Sequence, residues 1–177
     1  MKKIKDDKGK IAVYAGTFDP ITNGHMDVVF RSLRVFDTIY LAISKGGPRV
    51  STKASYFTIS ERLKMAKGAV KGYNSERERV IVESFDGMLV HYASKIGAKV
   101  IIRGLRAVSD YEYETQLAHT NRLLDSEIET VFFVTSEPNS FISSSIVRNV
   151  ALNGGEISKM VPSVVKTFFI QKMNEKS

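Results

Sequence analysis

Five short apolar runs recur along the chain: Ile11 to Ala15, Ile39 to Ile43, Val80 to Val82, Val100 to Ile102, and Val131 to Val134. Most are apolar throughout, the pattern of a strand covered on both faces, whereas a half-solvated strand would alternate apolar and polar residues. Between the runs, apolar residues fall at helical spacing behind recognisable start signals. Met26, Val29, Phe30 and Leu33 form one such stripe after Thr22-Asn23-Gly24-His25. Thr58-Ile59-Ser60-Glu61 and Ser109-Asp110-Tyr111-Glu112 have capping-box form, and Asp86 is placed to cap the segment carrying Leu89, Ala93 and Ile96. Asn153-Gly154-Gly155 reads as a helix stop. Pro162, at a first helical position, opens a closing helix with Val164, Val165, Phe168 and Phe169. Helix follows strand nearly every time, which implies right-handed crossovers. The expected fold is α/β: a single-domain, Rossmann-like, doubly wound sheet of five parallel strands with helices on both faces.

A chain of 177 residues suits one hydrophobic core, burying about 70% of the surface its unfolded form exposes. An apolar share of 43% and a charged share of 25% are those of an ordinary globular protein. No apolar stretch approaches the roughly 20 residues of a membrane helix, so no membrane role is expected. The start of the chain has lysines but no apolar run of the secretory kind, and there is no cysteine, so the expected location is the cytoplasm. Residues 1–10 hold five Lys against two Asp and so carry +3 of the net charge of +7. They read as a lysine-rich tail before a domain at 11–177. The modest remaining charge fits phosphate-bearing small molecules, and no nucleic-acid module is recognisable. Residues 44–55 are polar and contain glycine, and read as a mobile loop of the lid kind.

Candidate chemistry gathers at strand ends, where doubly wound folds bind their ligands. Thr22-Asn23-Gly24-His25, the turn Arg103-Gly104-Leu105-Arg106, and Ile142-Ser143-Ser144-Ser145 each follow a predicted strand. Helix starts in the first and last would turn unpaired N–H groups and the positive dipole end toward an anion. His25 has two readings, a helix-start histidine bonded locally or a functional imidazole beside a bound anion. Thr17 in the same loop, and Gly24, which would admit a ligand to the backbone, favour the second. Arg103 and Arg106 can hold separate phosphates through forked hydrogen bonds. One of Ser143, Ser144 and Ser145 caps the helix bearing Ile146, Val147 and Val150, and the remaining groups suit the outer phosphates of a triphosphate, with Arg148 as helper. His91 and His119 lie within helical patterns and read as structural. Lys53 is not distinguished by the bare sequence. There is no G-x-G-x-x-G, no Walker-type loop and no zinc-ligand spacing, so no protein-held metal is expected.

The T-x-G-H and I-S-S-S elements resemble those of the nucleotidyltransferase α/β phosphodiesterase superfamily. Within it, Tyr14 to His25, Ile102 to Glu114 and Ser140 to Ser145 closely resemble the bacterial phosphopantetheine adenylyltransferases, over about Ile11 to Phe169. The resemblance implies adenylyl transfer from ATP to 4′-phosphopantetheine, giving 3′-dephospho-coenzyme A and pyrophosphate in coenzyme A biosynthesis, by direct in-line attack. It also implies Mg²⁺ with the ATP, a homohexamer, and feedback inhibition by coenzyme A. Carried over by position, His25, Lys53 and Arg106 would be catalytic, with His25 stabilising the transition state. Thr17, Lys53, Leu89 and Arg103 would bind phosphopantetheine. Thr17, Phe18, His25, Gly104, Leu105, Arg106, Glu114, Asn139, Ser140, Phe141, Ile142, Ser143, Ser144 and Ser145 would bind ATP. Two departures stand out. The 44–55 loop is longer than in typical members, leaving Lys45 and Arg49 as competitors of Lys53. Asn139 also replaces a tryptophan common among relatives, so an aromatic face is lost there.

Overall fold

Each apolar run forms a strand, and each strand reaches past its apolar stretch. In the computed structural model, which describes residues 9–46, 55–73, 76–106 and 108–174, the strands are β1 (Ile11–Gly16), β2 (Thr38–Ser44), β3 (Val80–Phe85), β4 (Val100–Leu105) and β5 (Glu129–Val134). They form one sheet in the order β3-β2-β1-β4-β5, with every pair parallel. The chain walks outward from β1 to β3, crosses over, and resumes at β4 on the other side of β1. That reversal opens a crevice between the carboxyl ends of β1 and β4.

Polar residues continue the strands because ladder bonds belong to the backbone. Arg103, Gly104 and Leu105 therefore pair with Phe132, Phe133 and Val134 as the end of β4. Only Arg106 leaves the sheet, which corrects the expected four-residue turn. The lysine-rich tail up to Lys8, and Arg49 and Lys53 of the expected lid, lie outside the described residues.

The helices are α1 (Asn23–Ser32), α2 (Ile59–Lys71), α3 (Leu89–Lys95), α4 (Val108–Leu124), α5 (Ser144–Leu152) and α6 (Ser163–Asn174). Alternation along β1 sorts the core into two faces. Ala12 and Tyr14 pack with Met26 and Val29 of α1, Met65 of α2, Val147 of α5 and Phe169 of α6. Val13 and Ala15 pack with Val90 and Ala93 of α3 and with Ile101. The second face is thinly covered at its edge. No described side chain of α4 is buried, Leu123 is 87% exposed, and Val134 at the end of β5 is 67% exposed.

Three expected start signals are corrected. Asp86 accepts the Gly87 N–H at 2.9 Å, closing a turn in which Gly87 takes φ 76°, and α3 begins behind Met88 with no side-chain cap. Because α4 starts at Val108, Ser109 lies inside its first turn, and the Asp110 carboxylate takes the Arg106 N–H at 3.2 Å. Pro162 precedes α6 by one residue, its carbonyl accepting the Val165 N–H. The Thr58–Glu61 capping box is present at α2. The Asn153-Gly154-Gly155 stop is a Schellman ending: Gly155 N–H reaches the Val150 carbonyl at 2.8 Å, Gly154 N–H reaches Ala151, and Gly154 sits at φ 78°.

Candidate active site

The local hydrogen bond expected of His25 is present, and the ring lines the cavity at the same time. Thr22 is the N-cap of α1, its side chain accepting the His25 N–H, and the Thr22 N–H is received at 3.0 Å by His25 Nδ1. The imidazole thus takes the place that Glu or Gln holds in an ordinary capping box. With Nδ1 occupied as an acceptor, the neutral ring carries its proton on Nε2. Burial pushes His25 down to about 3, and the positive Arg106 and Arg103 push the same way, so the ring is neutral near neutral pH. It is wedged edge-on against Phe18, centroids 5.0 Å apart, with Tyr14 beyond. Burial raises the Tyr14 phenol well above its ordinary value, so its hydroxyl stays protonated.

The serine element divides its tasks. Ser143 caps α5, its hydroxyl accepting the Ile146 N–H at 3.1 Å. Ser144 donates to the Pro20 carbonyl at 2.7 Å, which ties α5 to the β1–α1 loop, while Ser145 shares a hydrogen bond with Ser143. The Ser144 and Ser145 N–H groups, first in the helix, have no partner within it. Arg148 reaches back to the Asp19 carbonyl, and to its carboxylate at 3.4 Å.

Both arginines of the β4 end are held by carboxylates. Arg103 forks onto Glu114 at 2.6 and 2.7 Å and gives a third hydrogen bond to the Ala15 carbonyl. Burial opposes the Arg103 charge, but the Glu114 fork more than offsets it and holds the guanidinium above its ordinary value. Arg106 pairs with Asp110 at 3.1 Å across one helical turn and stays 39% exposed. Its charge faces solvent more openly than that of Arg103.

These groups meet around one cavity of about 330 Å³ in the β1–β4 crevice. Its walls are Tyr14 to Phe18, Thr22, Gly24 and His25 from the first element; Arg103, Gly104, Arg106 and Glu114 from the second; and Ile142 to Ser145 with Arg148 from the third. That volume is at the small end of the range for ligand sites. Five expected residues lie off this wall. Leu89 packs against the α3 face of the core. Leu105 points away from Gly104 by strand alternation. Asn139, Ser140 and Phe141 lie on the turn before α5, where Asn139 donates to the Ser136 hydroxyl and Phe141 is 64% exposed. Gly24 is on the wall, and a Cβ there would lie 3.4 Å from the Asn139 carbonyl oxygen. His91 and His119 are exposed on α3 and α4.

A family model for cytidylyltransferase-like proteins matches residues 13–150. A phosphopantetheine adenylyltransferase of Geotalea daltonii is 48% identical over 165 residues, covering 93% of this chain and 98% of the relative. Another, of Lachnoclostridium phytofermentans, is 46% identical over 167 residues, covering 94% and 98%. The chain belongs to the phosphopantetheine adenylyltransferase family. A bifunctional NMN adenylyltransferase/ADP ribose pyrophosphatase from Francisella tularensis superposes with a TM-score of 0.66 at 13% identity, over 94% of this chain and 50% of that one. At such identity the likeness is one of fold.

Sequence reasoning passed over four residues that shape the site. Tyr14 and Thr135 line the cavity, yet each looks like an ordinary strand residue. Asp19, 7% exposed, receives the Tyr56 and Phe57 N–H groups at 2.8 Å each. Arg62, 3% exposed on α2, donates to three backbone carbonyls. An arginine among helical residues reads as solvated, and nothing local in the sequence marks this one as buried.

Proposed function

We propose that this chain transfers the adenylyl group of ATP to the phosphate of 4′-phosphopantetheine, releasing pyrophosphate and 3′-dephospho-coenzyme A. The observation that carries the reading is one cavity walled by the capped His25, the Arg106 end of β4 and the serine-bearing N-terminus of α5, in a chain of this family. A phosphate oxygen of the acceptor forms the new bond to the α-phosphorus. The bond from that phosphorus to the bridging oxygen breaks on the opposite side, and its electron pair leaves with pyrophosphate. No protein atom needs to bond to the substrate. The work is alignment and stabilisation of charge on the α-phosphoryl oxygens.

Neutral His25 suits that work, since an Nε2–H fixed by the Nδ1 hydrogen bond is a preorganised donor rather than an acid. In this reading Arg106 adds positive charge beside the α-phosphate. The first N–H groups of α5 and the helix dipole receive the outer phosphates. Thr17, Lys53, Leu89 and Arg103 serve the acceptor. Phe18, Gly104, Glu114 and residues 142–145 serve the nucleotide from the cavity wall, and Leu105 and residues 139–141 serve it from beyond that wall.

Mg²⁺ belongs to the proposal as a companion of ATP. Among the described residues no three His, Cys, Asp or Glu side chains converge to hold a metal, so it would ride on the phosphates and keep much of its water. The exposed apolar side chains of α4 and the β5 edge support self-association, for which we propose a homohexamer. Coenzyme A, which contains the product, is the proposed feedback inhibitor. The proposed location is the cytoplasm, and no described helix is long and apolar enough to cross a membrane. Pyrophosphate release from ATP and 4′-phosphopantetheine with Mg²⁺ tests the reading. Folded protein that gives no turnover, or that prefers nicotinate mononucleotide or glycerol phosphate as acceptor, overturns it.

A further inference from the structure

We propose that Arg62 is a positioning residue for the acceptor half of the site, acting as a buried clamp on three backbone segments. Its Nη1 donates to the Thr17 carbonyl at 2.7 Å and to the Ser44 carbonyl at 2.9 Å, and its Nε donates to the Phe57 carbonyl at 3.2 Å. These acceptors belong to the loop after β1, the last residue of β2 and the turn before α2. One planar guanidinium therefore fixes the ends of two neighbouring strands against the start of α2. Asp19 works on the same turn from the other side, taking the Tyr56 and Phe57 N–H groups. Phe57 is thus gripped at both its N–H and its carbonyl.

Burying a guanidinium among carbonyls is costly, and apolar packing would hold α2 more simply. Burial indeed lowers the Arg62 guanidinium from its ordinary value, with Asp19 opposing. A rigid fork supplies what apolar contact lacks, namely direction at several acceptors at once. Thr17 lines the cavity, whereas none of the three carbonyls that Arg62 holds belongs to the serine element or to Arg106. Loss of the clamp therefore displaces Thr17 and leaves the nucleotide wall in place. Arg79 provides the internal contrast. It also donates to three carbonyls, those of Leu33, Phe36 and Asp37, but these close the end of α1 away from the cavity.

The inference rests on the proposed adenylyl transfer, and the experiment keeps the two apart. Wild-type enzyme is first assayed with ATP and 4′-phosphopantetheine, and no turnover there defeats the functional reading alone. Arg62→Lys, which keeps the charge and loses the fork, and Arg62→Gln are then compared with Arg79→Lys as the structural control. Loss of Thr17 alignment is expected to lower kcat/KM for phosphopantetheine by about 100-fold, with KM for ATP unchanged. Arg79→Lys is expected to lower Tm only. If the Arg62 variants lose Tm but keep both KM values and kcat, or if both KM values rise in parallel, Arg62 is a structural clip and the proposal is wrong. Should neither variant fold, Asp19→Asn, which loosens the same turn, is expected to lower kcat/KM for phosphopantetheine likewise, its contact with Arg148 removing KM for ATP as a readout, and an unchanged kcat/KM refutes the proposal.

Discussion

Replacing His25 with alanine separates its two tasks, because alanine removes both and glutamine restores one. The Nε2–H is a single donor aimed at developing charge, and loss of such a donor costs about 100- to 1,000-fold in turnover, or roughly 2.7–4 kcal/mol. The Nδ1 acceptor serves Thr22, whose residue is 0% exposed. An abandoned buried N–H costs about 1–3 kcal/mol, and the adjacent cavity lets water reach this one, which favours the lower end. About 1 kcal/mol lowers Tm by roughly 2–4 °C in a domain of this size. Against a typical stability of about 5–15 kcal/mol the folded fraction barely changes, so any loss of turnover belongs to chemistry. Glutamine at the third helical position completes an ordinary capping box with Thr22. His25→Gln should therefore recover the Tm lost in His25→Ala while turnover stays low. Pyrophosphate release at saturating ATP and phosphopantetheine, with Tm measured on the same samples, decides the matter. Turnover of His25→Ala within about tenfold of wild type, or glutamine restoring rate together with Tm, refutes the assignment of Nε2 as the donor.

Three further outcomes are expected. The neutral ring stabilises the fold fully above the unfolded histidine value of 6.5, and that contribution fades as pH falls toward the folded value of about 3, because the unfolded chain binds the proton first. Wild-type Tm should thus drop faster than that of His25→Ala on acidification from about pH 7 to about pH 5, and parallel curves contradict the lowered value. Ser143→Ala should cost about 1 kcal/mol in urea unfolding and Ser143→Gly only a few tenths, as for an N-cap. If the hydroxyl also touches phosphate, both variants raise the KM for ATP alike. Gly68→Ala puts a Cβ 2.8 Å from Val164 Cγ2 on α6. Overpacking of about 1–3 kcal/mol outweighs the gain of up to about 1 kcal/mol in helix propensity, so Tm falls, and a rise in Tm shows that α6 yields freely.

Local pattern carried the strand count, the parallel class and the three loops of the site, since each depends on period or on a short contiguous motif. Ile11 to Ala15 is apolar on both faces, and no other setting suits such a run so well. Strand ends were less legible. Arg103 and Gly104 lack the side chains of a buried strand, and only the backbone of β5 beside them keeps them in the ladder. Asp86 shows the same limit at a helix start, because a capping side chain competes with nearer backbone donors that the sequence does not rank.

From sequence alone came the alternation of elements and the candidate phosphate-binding residues, through short-range periodicity and a contiguous likeness to relatives. Tertiary structure alone decided which nitrogen of His25 is left to donate, how Glu114 engages Arg103, and that Arg62 is buried. Glu114 and the carbonyls around Arg62 come from other segments, and the Thr22 N–H meets the His25 ring only once the chain has turned into α1, so each depends on a distance of a few ångströms that only the folded chain brings about.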